Sequence, residues 1–146
     1  MTIKEIYQTI SQLVGQANIL TIPREFIAYT GDLESALLLS QLIYWSERTS
    51  NPEGWIYKTY DDWEEETSLK EYSVRKARKK LEKMGILETK IKKVNGNPTL
   101  HYRINIEKFS DSFLQNLKKR TCKISRNEPV KFKETLTEIT NKDHIQ

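Results

Sequence analysis

The chain has 146 residues, enough for one domain with a hydrophobic core. Its hydrophobic share of 37% and mean hydropathy of −0.67 exclude an integral membrane protein, because no apolar run approaches the roughly 20 residues of a membrane-spanning helix. The N-terminus lacks a basic stretch followed by an apolar one, so we expect no signal peptide. The single cysteine, Cys122, excludes an intramolecular disulfide. We therefore expect a cytoplasmic protein.

Positive charge is concentrated in one short segment. Residues 1–69 hold four Lys or Arg against eleven Asp or Glu, whereas residues 70–93 hold ten against three. The rest of the chain is mildly basic, and the formal net charge is +4. A charge run is usually a solvated face, but ten cations on two adjacent predicted elements favour a polyanion partner.

The N-terminal residues 1–15 predict an amphipathic helix that ends at Gly15. Its apolar positions recur at spacings of three and four, and they are Ile3, Ile6, Ile10, Leu13 and Val14. This stripe can pack on the domain or on a second copy of itself, which makes the helix a candidate dimer element. After Pro23 we expect a short turn of helix.

The central part of the chain predicts a buried helix, a short strand and an acidic helix. Asp32 is a good N-cap for a helix over Leu33–Arg48, which is apolar nearly all round and therefore buried. Trp55–Thr59 looks like a short strand, and Thr59 then caps the acidic helix. The three tryptophans lie in apolar patterns and are expected in the core; they are Trp45, Trp55 and Trp63.

A basic helix follows the turn Thr67–Leu69. Its inward stripe is predicted to be Val74, Ala77, Leu81 and Met84. The opposite face carries Tyr72, Arg75, Lys76, Lys79 and Lys83, with Ser73 at its edge. Arg78 and Lys80 are expected to pair with acids of the neighbouring acidic helix.

Residues 86–105 predict a β-hairpin. Asn95-Gly96 at its tip is a strong hairpin signal, because both residues tolerate positive φ. Alternation places these side chains inward: Leu87, Thr89, Ile91, Leu100, Tyr102 and Ile104. His101 is expected outward, facing solvent or a phosphate. Polar residues near the tip are Lys92, Lys93, Asn95 and Asn97.

A last helix is predicted over Ile106–Lys119. Its apolar stripe consists of Phe109, Phe113, Leu114 and Leu117. Periodicity disappears from Arg120 onward, so residues 120–146 are expected to form a flexible, mildly basic tail. The predicted domain therefore covers residues 1–119.

Helix, turn, basic helix and hairpin follow one another in the order of a winged helix-turn-helix. The predicted fold class is mainly α with a small antiparallel sheet, with an extra helix at each end. In such a protein Tyr72 and Ser73 lie nearest the bases, and Arg75 is suited to a bidentate contact with guanine. Lys76, Lys79 and Lys83 are suited to phosphates, which position the protein on duplex DNA. The hairpin tip would reach along the same duplex.

The helix before the basic one is acidic and argues against the simplest arrangement, since its acids repel phosphate. They are Asp61, Asp62, Glu64, Glu65 and Glu66. One interpretation is that they complement the helix dipole and are partly neutralised by Lys79, Lys80 and Lys83. The other is that this helix, with Asp61, Asp62, Glu64 and Glu65, forms the surface for a basic protein partner. No phosphate loop, nucleophile elbow or metal-ligand spacing occurs, so we expect no enzyme, no cofactor and no metal.

The chain resembles small winged-helix DNA-binding proteins of phages, plasmids and conjugative elements of Gram-positive bacteria. These proteins are often labelled replication proteins, and they are related to the N-terminal domain of DnaD-type replication initiation proteins. The resemblance covers roughly residues 20–117. It depends on the segments 31–45 (GDLESALLLSQLIYW), 54–67 (GWIYKTYDDWEEET), 83–87 (KMGIL) and 100–105 (LHYRIN).

Three functions remain open at this point. The resemblance and the basic segment favour sequence-specific or structure-specific binding of duplex DNA, in replication initiation or its control on a phage, plasmid or integrative element. A transcriptional repressor of its own element, dimeric through the N-terminal helix, has the same motif. A winged helix that binds a host or replication protein is the third, and the negative charge of residues 1–69 motivates it.

Overall fold

The structure, a computed structural model, describes residues 1–14 and 19–124, with side chains as far as residue 120. These residues form a mixed α+β fold of six helices and one three-stranded antiparallel sheet. The helices are α1 (Ile3–Val14), α2 (Arg24–Thr30), α3 (Leu33–Ser46), α4 (Tyr60–Thr67), α5 (Glu71–Lys83) and α6 (Ile106–Ile124). The strands are β1 (Ile56–Tyr57), β2 (Leu87–Val94) and β3 (Asn97–Ile104). The chain divides into two compact units, Met1–Ile106 and Glu107–Gln146.

Helix α1 has the predicted apolar stripe, yet none of its residues is buried. The hydroxyl of Thr2 accepts the Glu5 N–H at 3.1 Å, and the Glu5 carboxylate accepts the Thr2 N–H at 2.8 Å. These reciprocal hydrogen bonds fix the start of the helix. Ile3 and Leu13 are each 81% exposed, so the stripe faces solvent in this single chain. The predicted stop at Gly15 lies outside the described residues.

Helix α3 is the centre of the first unit, as predicted. The Asp32 carboxylate accepts the Ser35 N–H at 2.7 Å and caps the helix, which ends at Ser46. Buried apolar side chains line it: Ala36, Leu37, Leu38, Leu39 and Leu42. Each fully buried leucine contributes about 2 kcal/mol relative to an exposed one. Contacts with α2, α5 and β3 make this helix the element on which the others are positioned.

The sheet has the strand order β1-β3-β2, so β3 is its central strand. Tyr102 on β3 is 1% exposed and meets the ring of Trp63 edge-on, with centroids 5.7 Å apart. Ile56, Leu87 and Ile104 are buried on the sheet as well. This packing anchors the base of the β2–β3 hairpin to the helices.

Several predicted side-chain positions near the sheet are wrong. His101 is 7% exposed instead of facing solvent, because β1 pairs with β3 and makes it a central strand. Its Nδ1 lies 2.9 Å from the Thr99 carbonyl. Ile91 is 73% exposed, because it lies in the outer half of β2, where the strand is not buried. Trp63 is fully buried as predicted, but Trp45 and Trp55 are only half-buried.

Helix α6 continues to Ile124, beyond the predicted end at Lys119. The rings of Phe109 and Phe113 are stacked, with centroids 5.5 Å apart. Leu114 is 52% exposed. Most of the predicted tail, residues 125–146, lies outside the described residues.

Candidate nucleic-acid interface

Helix α5 separates a buried apolar face from an exposed basic one. Val74, Ala77 and Leu81 are each at most 1% exposed and fix the helix against the core. The opposite face carries exposed Tyr72, Lys76, Lys79 and Lys83, with Tyr72 77% exposed. None of these three lysines forms an ion pair with any residue that the structure describes. Unpaired lysines can contact phosphates without first breaking an internal bond.

Two other predicted contact residues of α5 are already hydrogen-bonded. Arg75 donates to Glu71 at 3.2 Å, one turn earlier, and its guanidinium lies 5.2 Å from the centre of the Tyr60 ring. The hydroxyl of Ser73 donates to Glu34 at 3.5 Å and is half-buried. Both side chains would have to leave these partners to contact a base. The cost is small for Arg75, because its pair with Glu71 is exposed.

Lys80 pairs with an acid, but not with one on α4 as predicted. Its Nζ lies 2.5 Å from the carboxylate of Asp32, the N-cap of α3. Burial alone would raise the pKa of Asp32, but the hydrogen bonds from Lys80 and Ser35 outweigh burial and hold this pKa below its ordinary value. Lys80 therefore connects α5 to the start of α3 and is not available for DNA.

Arg78 also has a different partner from the one predicted. It donates to Glu82 of its own helix at 3.0 Å. Burial would lower the pKa of Arg78, but the hydrogen bond and charge of Glu82 raise it. The same carboxylate accepts the hydroxyl of Thr89 on β2. The cluster of Arg78, Glu82 and Thr89 therefore joins α5 to the base of the hairpin. Burial raises the pKa of nearby Tyr102 to about 12.

The tip of the hairpin has the geometry that its sequence predicts. Asn95 and Gly96 have φ values of 51° and 82°, both in the left-handed region. Lys92, Lys93 and Asn97 are exposed beside this turn. Neither lysine has an ion-pair partner within residues 1–14 and 19–124. The tip is thus a second group of unpaired cations.

An inner groove of about 570 Å³ lies between α5 and the hairpin. Its basic residues are Arg75, Arg78, Lys79 and Lys90. Tyr60, Ile91 and Leu100 also line it. Sequence reasoning missed Lys90 and Tyr60, because only the packing of the hairpin against α5 brings them to the groove. The groove contains two of the predicted contacts on the helix, Arg75 and Lys79, whereas the predicted contacts at the hairpin tip do not line it.

The five acids of α4 divide into two that build the fold and three that do not. Asp62 completes a capping box with Thr59, and Glu66 accepts hydrogen bonds from Trp45 Nε1 and Lys58 Nζ, each at 2.6 Å. The other three, Asp61, Glu64 and Glu65, are exposed and do not take part in these contacts. Among the described side chains, none of Lys79, Lys80 and Lys83 pairs with an α4 acid. The predicted neutralisation of α4 by these lysines is therefore wrong.

The outward face of the sheet carries a second basic depression, called here the outer cleft, with a volume of about 700 Å³. It lies between the loop after α3, β1 and the outer half of the hairpin. Trp55 lies beside it with Lys90 Nζ 4.2 Å from its ring centre and the Arg103 guanidinium 4.6 Å away. His101 lines its floor.

The arrangement offers cations, hydroxyls and aromatic rings, the groups that bind phosphates and bases. Within the described part of the chain, no three His, Cys, Asp or Glu side chains are grouped as metal ligands. No helix in that part is both long and apolar enough to cross a membrane.

Comparisons with protein-family models, with curated proteins and with solved structures give no match to this chain. The assignment of function therefore depends on the chemistry and geometry of the residues above.

Proposed function

We propose that this chain is a winged helix-turn-helix protein that binds duplex DNA. Helices α4 and α5 and the turn between them form the helix-turn-helix, and the β2–β3 hairpin is the wing. The role proposed for it is replication initiation, or its control, on a phage, plasmid or integrative element. The role depends on the resemblance stated above, whereas DNA binding depends on the geometry.

The observation that carries the proposal is the exposed face of α5. Lys76, Lys79 and Lys83 lie on one side of a well-anchored helix with no acidic partner among the described residues. The major groove is about 12 Å wide and admits one helix. Counterion release makes each lysine–phosphate contact favourable, and no internal ion pair has to be broken first.

Each residue of the interface has a proposed role. Tyr72 and Ser73 in the first turn of α5 approach the bases. Arg75 leaves its hydrogen bond with Glu71 and donates to a guanine instead. The lysines of α5 hold the phosphates that flank the groove. The wing residues continue the phosphate contacts along the duplex; they are Lys92, Lys93, Asn95 and Asn97.

Fluorescence anisotropy on labelled duplex DNA across a salt series tests the proposal. Five lysine–phosphate contacts, three from α5 and two from the wing, give a slope of log affinity against log salt of about −4 to −5. We expect binding at low salt that weakens steeply as salt rises. Absence of binding at low salt, or an affinity independent of salt, would contradict duplex binding.

A second candidate, a protein-binding module, is favoured by an acidic and apolar groove on another face. This groove of about 580 Å³ is lined by Ile19, Leu20 and Tyr44 and by the carboxylates of Glu47, Glu65 and Glu66. It suits a basic, apolar segment of another protein. Replacing Arg75, Lys76 and Lys79 together by Glu discriminates between the candidates: activity in the cell that survives this change favours the protein-binding module.

A third candidate, a dimeric repressor, is favoured by the exposed apolar stripe of α1. Ile6 and Ile10 are 38% and 51% exposed, and burial against a second copy would remove both from water. Sedimentation of the wild type and of the Ile6→Glu, Ile10→Glu variant tests it. A dimer that becomes monomeric in the variant favours this role, and a monomeric wild type removes it.

A further inference from the structure

The outer cleft contains a row of three cross-strand neighbours from three different strands. Tyr57 of β1 is paired with His101 of β3, and His101 is paired with Lys90 of β2. These side chains lie on the face of the sheet opposite to Tyr102, because successive residues of a strand alternate between faces. This row therefore lies on the face of the sheet opposite to the packing of Tyr102 against Trp63, and among the described residues the cleft shares only Lys90 with the inner groove beside α5.

The charge of the outer cleft is one-sided. Its cations are Arg48, Lys58, Lys90, Lys92 and Lys93, and no Asp or Glu from the described residues lines it. Lys58 is neutralised by Glu66 at 2.6 Å. Arg48 donates to the Tyr44 carbonyl at 2.9 Å and lies 3.7 Å from the centre of the Tyr44 ring, but its one acidic contact among the described residues is weak and exposed, with Glu47 at 3.5 Å. The three lysines of β2 have no ion-pair partner within the described chain. The cleft thus offers sites for several phosphates at once.

One aromatic ring of the cleft remains available to a ligand. Trp55 already carries Lys90 and Arg103 against its ring. Tyr57 instead is 57% exposed, and its ring is supported by the buried imidazole of His101 at a centroid distance of 5.4 Å. A supported and exposed ring beside cations is the arrangement on which unpaired bases stack.

We propose that the outer cleft binds single-stranded DNA, with a base stacked on Tyr57 and the backbone phosphates on Arg48, Lys92 and Lys93. Because Lys92 and Lys93 are also the proposed duplex contacts of the wing, a single strand and a duplex would compete for these two lysines. A duplex does not satisfy this site, because its base faces are covered by neighbouring bases. An acidic peptide would use the cations but leave the ring of Tyr57 unused. The choice of DNA over RNA rests on the proposed function, since replication initiation opens duplex DNA and exposes its single strands beside the bound protein.

The test measures binding of a labelled oligothymidylate of about ten nucleotides, and separately of a labelled duplex, by anisotropy. The decisive variant is Tyr57→Leu, which removes the ring but leaves every cation in place. Its matched control is Tyr7→Leu, because Tyr7 is 67% exposed on α1 and lines neither the cleft nor the groove. Tyr57→Phe retains the ring and serves as the conservative variant.

We expect Tyr57→Leu to weaken oligothymidylate binding by about 5- to 150-fold, the range for loss of one base–aromatic stack. Tyr57→Phe and Tyr7→Leu are expected to stay within about twofold of the wild type, and duplex affinity to remain unchanged in all three. Lys76→Glu, Lys79→Glu is expected to weaken duplex binding more than oligothymidylate binding. The variants therefore test duplex binding by α5 and single-strand binding by the outer cleft independently of each other.

Three results would overturn the single-strand proposal. The first is a wild type that does not bind oligothymidylate at low salt. The second is a Tyr57→Leu variant, folded by circular dichroism, that binds oligothymidylate as tightly as Tyr7→Leu does. The third is preference by more than about tenfold for an RNA strand or for a poly-glutamate peptide, which would assign the cleft to a different ligand.

Discussion

Helices α4 and α5 are consecutive, similarly exposed and opposite in charge, and their charges are used differently. On α4, Asp62 and Glu66 hold a capping box and a half-buried hydrogen-bonded pair. On α5, the outward lysines have no acidic partner among the described residues, whereas Lys80, at the edge of the core, is bound to Asp32. On these two helices, charges that build the fold are paired at short distances, whereas the unpaired cations of α5 form the proposed DNA surface.

Reversing two unpaired charges of α5 should produce the largest effect. Lys76→Glu, Lys79→Glu is expected to weaken duplex binding by about 100-fold or more, because each change removes one phosphate attraction and adds a repulsion. Anisotropy on duplex DNA at fixed salt measures it. Thermal unfolding should be unchanged, since both side chains are exposed and make no ion pair with the residues that the structure describes.

The matched control is Lys4→Glu, Arg24→Glu, which changes the net charge equally on α1 and α2. It is expected to weaken duplex binding by less than about threefold, through the long-range field alone. Equal losses in the two variants would mean that net charge, and not the face of α5, determines binding.

Removing one paired charge of α4 should affect stability and not binding. Lys58 and Glu66 have side chains 13% and 19% exposed, so Glu66→Gln leaves a half-buried cation without its counterion. We expect a loss of about 2 kcal/mol in the free energy of unfolding. Urea denaturation of this variant beside Glu64→Gln checks it, since the exposed change should stay within about 0.5 kcal/mol. If Glu66→Gln left the free energy of unfolding unchanged, the pair of Lys58 and Glu66 would not stabilise the fold.

The pair between α5 and the cap of α3 predicts a pH dependence. The pKa of Asp32 is lowered in the folded state, so its stabilisation is complete above the ordinary value of 3.8 and is lost as pH falls below it. Asp32→Asn keeps an N-cap but removes the charge. Since Asp32 and Lys80 are each 40% exposed, the loss at neutral pH should be under about 1 kcal/mol. This difference should shrink in acid, and a constant difference contradicts the assignment.

The smallest effect is expected from the unpaired acids of α4. Glu64→Gln, Glu65→Gln removes two charges near the proposed DNA surface, so duplex affinity should rise by less than about threefold in anisotropy. A strong fall in duplex affinity would mean that these acids take part in binding. Loss of activity in the cell at unchanged DNA affinity would instead favour a protein partner for this helix.

The features that depend only on residues close together in the sequence could be predicted from local sequence patterns. Asp32 and Thr59 as caps and Asn95-Gly96 as the turn are confirmed, because each acts within a few residues of itself. The partners of Lys80 and Arg78 were assigned wrongly. Lys80 meets Asp32, 48 positions away, and no local pattern encodes that contact.

The pairing of strands in the sheet is likewise a contact between distant residues that local patterns do not encode. A short strand near Trp55 was predicted, but its pairing with β3 was not, and that pairing buries His101 and forms the outer cleft. Both basic depressions are therefore products of packing, although their lysines were visible in the sequence. The basic face of α5 could be predicted because helical periodicity alone separates it from Val74 and Leu81.

The salt dependence of duplex binding shows whether the lysines of α5 contact phosphates, and the variant to measure is Lys76→Gln, Lys79→Gln, Lys83→Gln. If these three unpaired lysines contact phosphates, the slope of log affinity against log salt should become less steep by about 2.7 relative to the wild type. Circular dichroism should be unchanged, since all three side chains are exposed. A slope equal to that of the wild type would contradict the assignment of α5 as the helix that contacts DNA.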